Sequence, residues 1–84
     1  MYAVEFLPSA ARELGKLDRR AQVRIGRAID RLASDPRGSG AMKLSGPSDI
    51  WRVRVGDYRV LYQIQDEALL VLVVRVGHRR DVYR

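Results

Sequence analysis

The sequence predicts an α+β fold: an N-terminal strand, a helical hairpin, then a three-stranded antiparallel meander, with the helices packed on one face of one small sheet. Three observations carry that prediction. Apolar and polar residues alternate at the N-terminus and again across the C-terminal half, which is the period of a half-buried strand. Between those stretches the apolar residues recur at helical spacing. Gly56-Asp57 separates two alternating runs and reads as a two-residue hairpin loop.

Tyr2, Val4 and Phe6 alternate with Ala3 and Glu5 and form the first strand. Pro8-Ser9 ends it, and Ser9 is the expected N-cap of a short helix with Ala11, Leu14 and Leu17 at helical spacing. Asp18 is the expected N-cap of a longer helix from Arg19 to Ala33, with Ala21, Ile25, Ala28, Ile29 and Leu32 as its buried stripe. The two helices are nearly contiguous and so form a hairpin. Gly26 costs the second helix about 1 kcal/mol against Ala, which a close approach of another element would explain. Ser34-Asp35-Pro36-Arg37-Gly38 stops the helix, and the loop continues to Ser45-Gly46-Pro47. Loops of such length are more often functional or mobile.

In the next strand Trp51, Val53 and Val55 alternate with Ile50, Arg52 and Arg54. In the one after it Tyr58, Val60, Tyr62 and Ile64 alternate with Arg59, Leu61, Gln63 and Gln65. Glycine in the first loop position makes the turn between them type II′. Asp66-Glu67 supplies the following turn. The last run, Ala68 to Val76, is apolar on both faces and is expected to be a central strand. The chain then continues as Gly77-His78-Arg79-Arg80-Asp81-Val82-Tyr83-Arg84.

At 84 residues, 46% hydrophobic, the chain is expected to be one domain, residues 1–84. The absence of cysteine excludes a disulfide scaffold and thiolate chemistry. The longest apolar run, Ala68 to Val74, is too short to span a bilayer. Met1 leads straight into strand-like sequence without a secretory signal, so a cytoplasmic protein with no membrane partner is expected. The net charge is +6, and each half of the chain holds eight basic and five acidic residues, so the excess belongs to the folded body rather than to a tail. Only Lys16 and Lys43 are lysines; the other cations are arginines, whose planar fork fits phosphate bidentately and stacks on bases. A genome-wide preference for Arg would explain the choice of cation but not the net charge. The expected partner is a polyanion, nucleic acid first.

With Gly56 and Asp57 as the loop, Val55 faces Tyr58, Arg54 faces Arg59, Val53 faces Val60 and Arg52 faces Leu61. Strand parity then puts Trp51, Val53, Val55, Tyr58, Val60, Tyr62 and Ile64 on the core face, and Arg52, Arg54 and Arg59 on the other. Like charges directly opposite each other destabilise a sheet. A face that keeps such a pair is expected to hold an anion, the alternative being splayed, solvated side chains. His78, Arg79 and Arg80 follow the last strand, with Tyr83 close behind, so the patch gains an imidazole and a phenol. Such a set suits RNA cleavage, in which the 2′-OH attacks the adjacent phosphate and cations stabilise the pentavalent transition state. His78 is the one side chain whose unperturbed pKa lies near 7, although a polar residue ending a strand is the other reading of it. No clustered carboxylates occur on the patch face, so neither a metal nor any other cofactor is expected.

The stretch Trp51-Arg52-Val53-Arg54-Val55-Gly56-Asp57-Tyr58-Arg59-Val60-Leu61-Tyr62 resembles the sheet core of RelE/ParE-superfamily toxins. So does Val76-Gly77-His78-Arg79-Arg80-Asp81-Val82-Tyr83, and Lys43-Leu44-Ser45-Gly46 resembles a recurrent element before the second strand of those proteins. The similarity spans nearly the whole chain in matching order, and within the superfamily it points to the RelE-like mRNA interferase branch. It implies the toxin of a type II toxin–antitoxin pair: a ribosome-dependent, metal-independent endoribonuclease that cuts mRNA in the A site and is held by a RelB-like antitoxin. By the same resemblance Arg59 and Arg79 would stabilise the scissile phosphate, with Arg79 assisting proton transfer, and Tyr83 would stack on a base of the codon. Arg52 and Arg54 stand where well-known RelE members carry lysines, and arginine hardly serves as a base, so the base is left open, with His78 one contender. Arg80, Arg84 and Lys43 are expected to be general RNA contacts. Arg20, Arg24, Arg27 and Arg31 form one basic helical stripe, open to three readings: a solvated face, a ribosomal RNA contact through Arg24, Arg27 and Arg31, or a dock for an acidic antitoxin segment. Two rivals share the fold: a ParE-like poison of DNA gyrase that binds without chemistry, and a nucleic-acid-binding module without catalysis.

Overall fold

The structure is a computed structural model that describes residues 1–44, 46 and 49–81. In chain order the elements are β1 (Ala3–Phe6), α1 (Pro8–Gly15), α2 (Arg19–Ser34), β2 (Ala41–Lys43), β3 (Ile50–Val55), β4 (Tyr58–Gln65) and β5 (Leu70–His78). They form one five-stranded sheet in the order β1-β5-β4-β3-β2. β1 runs parallel to β5, and every other pairing is antiparallel. The expected meander is β3–β5. The sheet is wider than a meander because β1 docks on β5 and because β2, three residues of the expected loop, pairs with Trp51–Val53. Gly40, at φ 88°, turns the chain into β2.

The helices cover one face. Ala10, Ile25, Ala28, Ile29 and Leu32 pack against Val53, Val55, Val60, Tyr62, Val71, Val73 and Val76 in one core cluster. Tyr58, Trp51 and Ile64 pack at its margin, so the parity of the β3–β4 hairpin is as the alternation predicted. Asp18 caps α2, its side chain accepting a hydrogen bond from the Ala21 amide at 2.8 Å. Gln22 reaches back to donate to the Leu14 carbonyl at 3.1 Å and so closes the C-terminal end of α1.

Three local expectations fail, each for a physical reason. Ser9 does not cap α1: Pro8 takes the first helical turn, where its missing N–H is no loss, and Leu7 becomes the N-cap residue. Ala68 is outside β5, which begins at Leu70, because Leu69 adopts a left-handed φ of 48° and closes the preceding turn with an amide bond to the Asp66 carbonyl at 3.1 Å. Gly26 marks no close approach, since a Cβ built there meets nothing within 4 Å.

Candidate functional site

The site is built from the β3–β4 hairpin and the end of β5. Gly56 has φ 61° while Asp57 has none of the positive φ values, which is the type II′ loop. That loop fixes the register: Val55 pairs with Tyr58, Arg54 with Arg59, Val53 with Val60 and Arg52 with Leu61. Two guanidinium-bearing residues therefore stand directly opposite each other on the face away from the helices. On its other side Arg59 pairs with Gly77 of β5.

Arg59 sits in the middle of the sheet and only 7% of its surface is exposed. Its Nη1 donates to the carbonyl of Tyr58 at 3.2 Å, and its buried Nε has no partner among the described residues. The ion pairs among the described residues join Arg37 to Asp66, Lys43 to Asp49 and Arg75 to Glu13, so none reaches Arg52, Arg54, Arg59 or Arg79. A buried charge with no counterion costs several kcal/mol, roughly the size of the penalty for deleting one partner of a buried ion pair. The Arg54–Arg59 juxtaposition adds to that cost. An anion on this face would relieve both.

The other expected site residues fall into three groups. Arg79 lies beside the hairpin loop: its amide donates to the Asp57 carbonyl at 2.8 Å, which holds the backbone after β5 against that loop. Arg52, two pairs further along, donates from Nη2 to the Met42 sulfur at 3.2 Å. His78 does not join the arginine face. It pairs with Tyr58 on the helix-covered side, with ring centroids 6.0 Å apart and planes at 79°. Its Nδ1 accepts the Arg80 amide at 3.2 Å, so the neutral ring carries its proton on Nε2. Together with the Asp81 amide bond to the His78 carbonyl at 2.8 Å, this folds residues 78–81 into a compact turn. Arg80 is exposed in that turn. Lys43 lies opposite Trp51, back along β3, and pairs with Asp49 at 3.3 Å. Tyr83 and Arg84 lie outside the described residues.

Arg24, Arg27 and Arg31 are exposed on α2 and line a cleft of about 280 Å³ with Arg54, Val55 and Gly56. The guanidinium nitrogens of Arg24 come within 3.0 Å of where a Cβ on Gly56 would sit. The sequence shows the helical stripe but not its junction with the hairpin. No sequence signal gives that junction, because it depends on β2, which pairs only as far as Val53 and leaves the Arg54 end of β3 without a strand neighbour on that side.

The chain is similar to known proteins over nearly its whole length. The profile of the family described as the ParE toxin of the type II toxin–antitoxin system parDE matches residues 4–83. Toxin RelG of Mycobacterium tuberculosis is 36% identical, covering 99% of this chain and 97% of that protein. The mRNA interferase toxin RelE of Escherichia coli K12 is 30% identical, covering 98% of this chain and 90% of that one. Among solved structures, the intact E. coli RelBE toxin–antitoxin complex superposes with a TM-score of 0.83 at 28% identity, covering 93% of this chain and 96% of that one. The M. tuberculosis RelBE2 complex superposes at 0.82 with 34% identity, covering 93% and 98%.

Proposed function

Because the chain belongs to the RelE/ParE toxin superfamily, on its RelE-like side, we propose that this toxin is an endoribonuclease that cuts mRNA in the ribosomal A site. The observation that carries the reading is Arg59, 7% exposed, facing Arg54 and without an acidic partner among the described residues. The site is complementary to a phosphate that gains negative charge. The 2′-oxygen of the upstream nucleotide attacks phosphorus, the bond to the 5′-oxygen breaks, and a 2′,3′-cyclic phosphate and a 5′-hydroxyl result. Arg59 and Arg54 hold the non-bridging oxygens, and Arg79, tied beside the hairpin loop, closes on them from the tail. Tyr83 stacks on a codon base, and Arg52 holds a flanking phosphate, as do Arg80 and Arg84.

Among the described residues this site stabilises charge and supplies no base. Arginine stays protonated. The neutral tautomer of His78 presents a donor, not a lone pair, from the opposite side of the sheet, so its part is to fix the Arg79–Arg80 turn. The proton of the 2′-OH passes to water, and the 5′-oxygen receives one from water. Such an enzyme depends on in-line alignment of the 2′-oxygen, worth many powers of ten, which the ribosomal A site supplies. Ribosome dependence follows from the chemistry. The RelB-bound state of the E. coli relative supports a cognate RelB-like antitoxin as the partner that neutralises the basic surface.

The test is primer extension on a reporter mRNA in a reconstituted translation system, with and without ribosomes. In-frame cuts that require ribosomes are expected. The matched family's ParE description favours one rival, a gyrase poison; absent cuts together with inhibited supercoiling by purified gyrase would establish that reading instead.

A further inference from the structure

A bulge in β5 decides which residues of that strand meet Arg59, and a carboxylate from α1 holds the bulge. The pairs Tyr62–Val73 and Leu61–Arg75 leave Val74 with no opposite residue. One extra residue in a strand exchanges its two faces beyond that point. Val71 and Val73 pack into the core before the bulge and Val76 after it, so the core positions step from odd to even numbers. Gly77, which has no side chain, therefore stands opposite Arg59, and His78 stands opposite Tyr58. Continued without the bulge, the Tyr62–Val73 register would set Val76 against Arg59 and Gly77 against Tyr58. It would also bring Arg75 opposite the fully buried Val60.

β1 pairs with β5 only as far as Val73, and α1 takes over where β1 ends. Ala10 of α1 is fully buried, and Glu13, one turn on, lies on the same stripe. The Glu13 Oε1 accepts the Val76 amide at 3.0 Å, and its Oε2 accepts from the Arg75 Nη2 at 3.1 Å. Both contacts fall on the residues that follow the extra one. We propose that Glu13 is a positioning residue of the nuclease centre, an inference that rests on the ribosome-dependent reading above: by fixing the bulge it fixes Gly77 against Arg59 and the Arg79 backbone beside the hairpin loop. Glu13 does not touch the RNA itself, because α1 packs on the face of the sheet away from Arg59. The Arg75 pair alone would tie α1 to the sheet; the bond to the Val76 amide adds control of the strand's own path. The lever is short, since Arg79 follows Gly77 and His78 directly and its amide is held by the Asp57 carbonyl at 2.8 Å. A displacement of about 1 Å at a reacting centre costs up to about 10²-fold in rate.

The experiment compares wild type, Glu13→Gln, Glu13→Ala and, as a carboxylate lost elsewhere, Asp66→Asn, all shown folded by circular dichroism. Cleavage on programmed ribosomes gives kcat and KM, and NMR follows exchange of the Val76 amide and the cross-strand contact of Arg59 with Gly77. Glu13→Ala is expected to lower kcat by about ten- to a hundredfold, with KM within about twofold of wild type. It should also speed exchange at Val76 and weaken the Arg59–Gly77 contact, with the Val53–Val60 contact intact. Glu13→Gln keeps an oxygen acceptor for the amide and is expected to stay within about threefold of the wild-type kcat. Glu13→Met, which fills the space without an acceptor, carries the same expectation as Glu13→Ala and replaces it if that variant does not fold. The inference is overturned if the acceptor-free variant cleaves like wild type, if its loss falls on KM, or if its Arg59–Gly77 contact is unchanged. It is equally overturned if Glu13→Gln or Asp66→Asn loses as much. Failure of the nuclease reading is distinct: wild type itself would leave mRNA intact on ribosomes, and the positioning role would fall with it.

Discussion

Two arginines on this small protein are treated in opposite ways. Arg37, on the loop after α2, donates to both oxygens of Asp66 at 2.9 and 2.8 Å and lies over Trp51 with its guanidinium carbon 5.6 Å from the ring centroid. Tyr2 donates to the same carboxylate at 2.7 Å, and Tyr62 closes the cluster from below by donating to the Pro36 carbonyl at 2.7 Å. Arg59 is far more buried and has one bond to its neighbour's carbonyl. The first arrangement ties β1, the α2–β2 loop and the β4–β5 turn together. The second is a cation with no acidic partner among the described residues. A buried charge that the described residues leave unpaired is what the proposed phosphate site requires.

The sharpest way to break this comparison is to make Arg59 apolar. Arg59→Met is expected to lower mRNA cleavage by about 10²–10³-fold, the typical loss for one transition-state donor. It should also raise the melting temperature, since a buried unpaired charge is replaced by a side chain of similar length. Cleavage and thermal unfolding of the same preparation check both. A fall in stability would mean that Arg59 is a structural residue like Arg37.

Asp66→Asn tests the other end and leaves cleavage unchanged. The paired Arg37 and Tyr2 hold the Asp66 carboxyl down at about 2, below the ordinary value of 3.8. A lowered folded pKa adds stability that is complete above the unfolded value and is lost as pH falls through the folded one. Wild-type urea unfolding should therefore weaken from about pH 4 to about pH 2 by an increment missing in Asp66→Asn. An identical pH profile in the two proteins would mean that the pair contributes nothing. The smallest effect is Gly26→Ala: with space free around a Cβ, it should stabilise α2 by about 0.5–1 kcal/mol in denaturant unfolding.

Much of the site was legible because a two-residue loop leaves little freedom. Once Gly56-Asp57 is the turn, the Arg54–Arg59 pair and the core face follow by parity. The β4–β5 relation was not legible, because a shift between Leu61 and Tyr62 breaks the register and an apolar run of both faces carries no phase. His78 was accordingly grouped with the arginines by proximity in sequence, whereas the ladder sets it against Tyr58. β2 is too short for alternation to reveal, and Arg37 meets Asp66 across 29 residues of chain. The helical arginine stripe was visible, but its meeting with β3 depends on how α2 crosses the sheet, which local pattern does not encode.

The central claim is that the unsatisfied arginines are the chemistry. Its most direct test is ribosome-dependent primer extension with Arg59→Ala/Arg79→Ala beside wild type, both shown folded and both assayed for ribosome binding. Lost cuts with ribosome binding retained is the predicted result. Wild-type cutting by the double variant would contradict the account and remove the site from this face of the sheet.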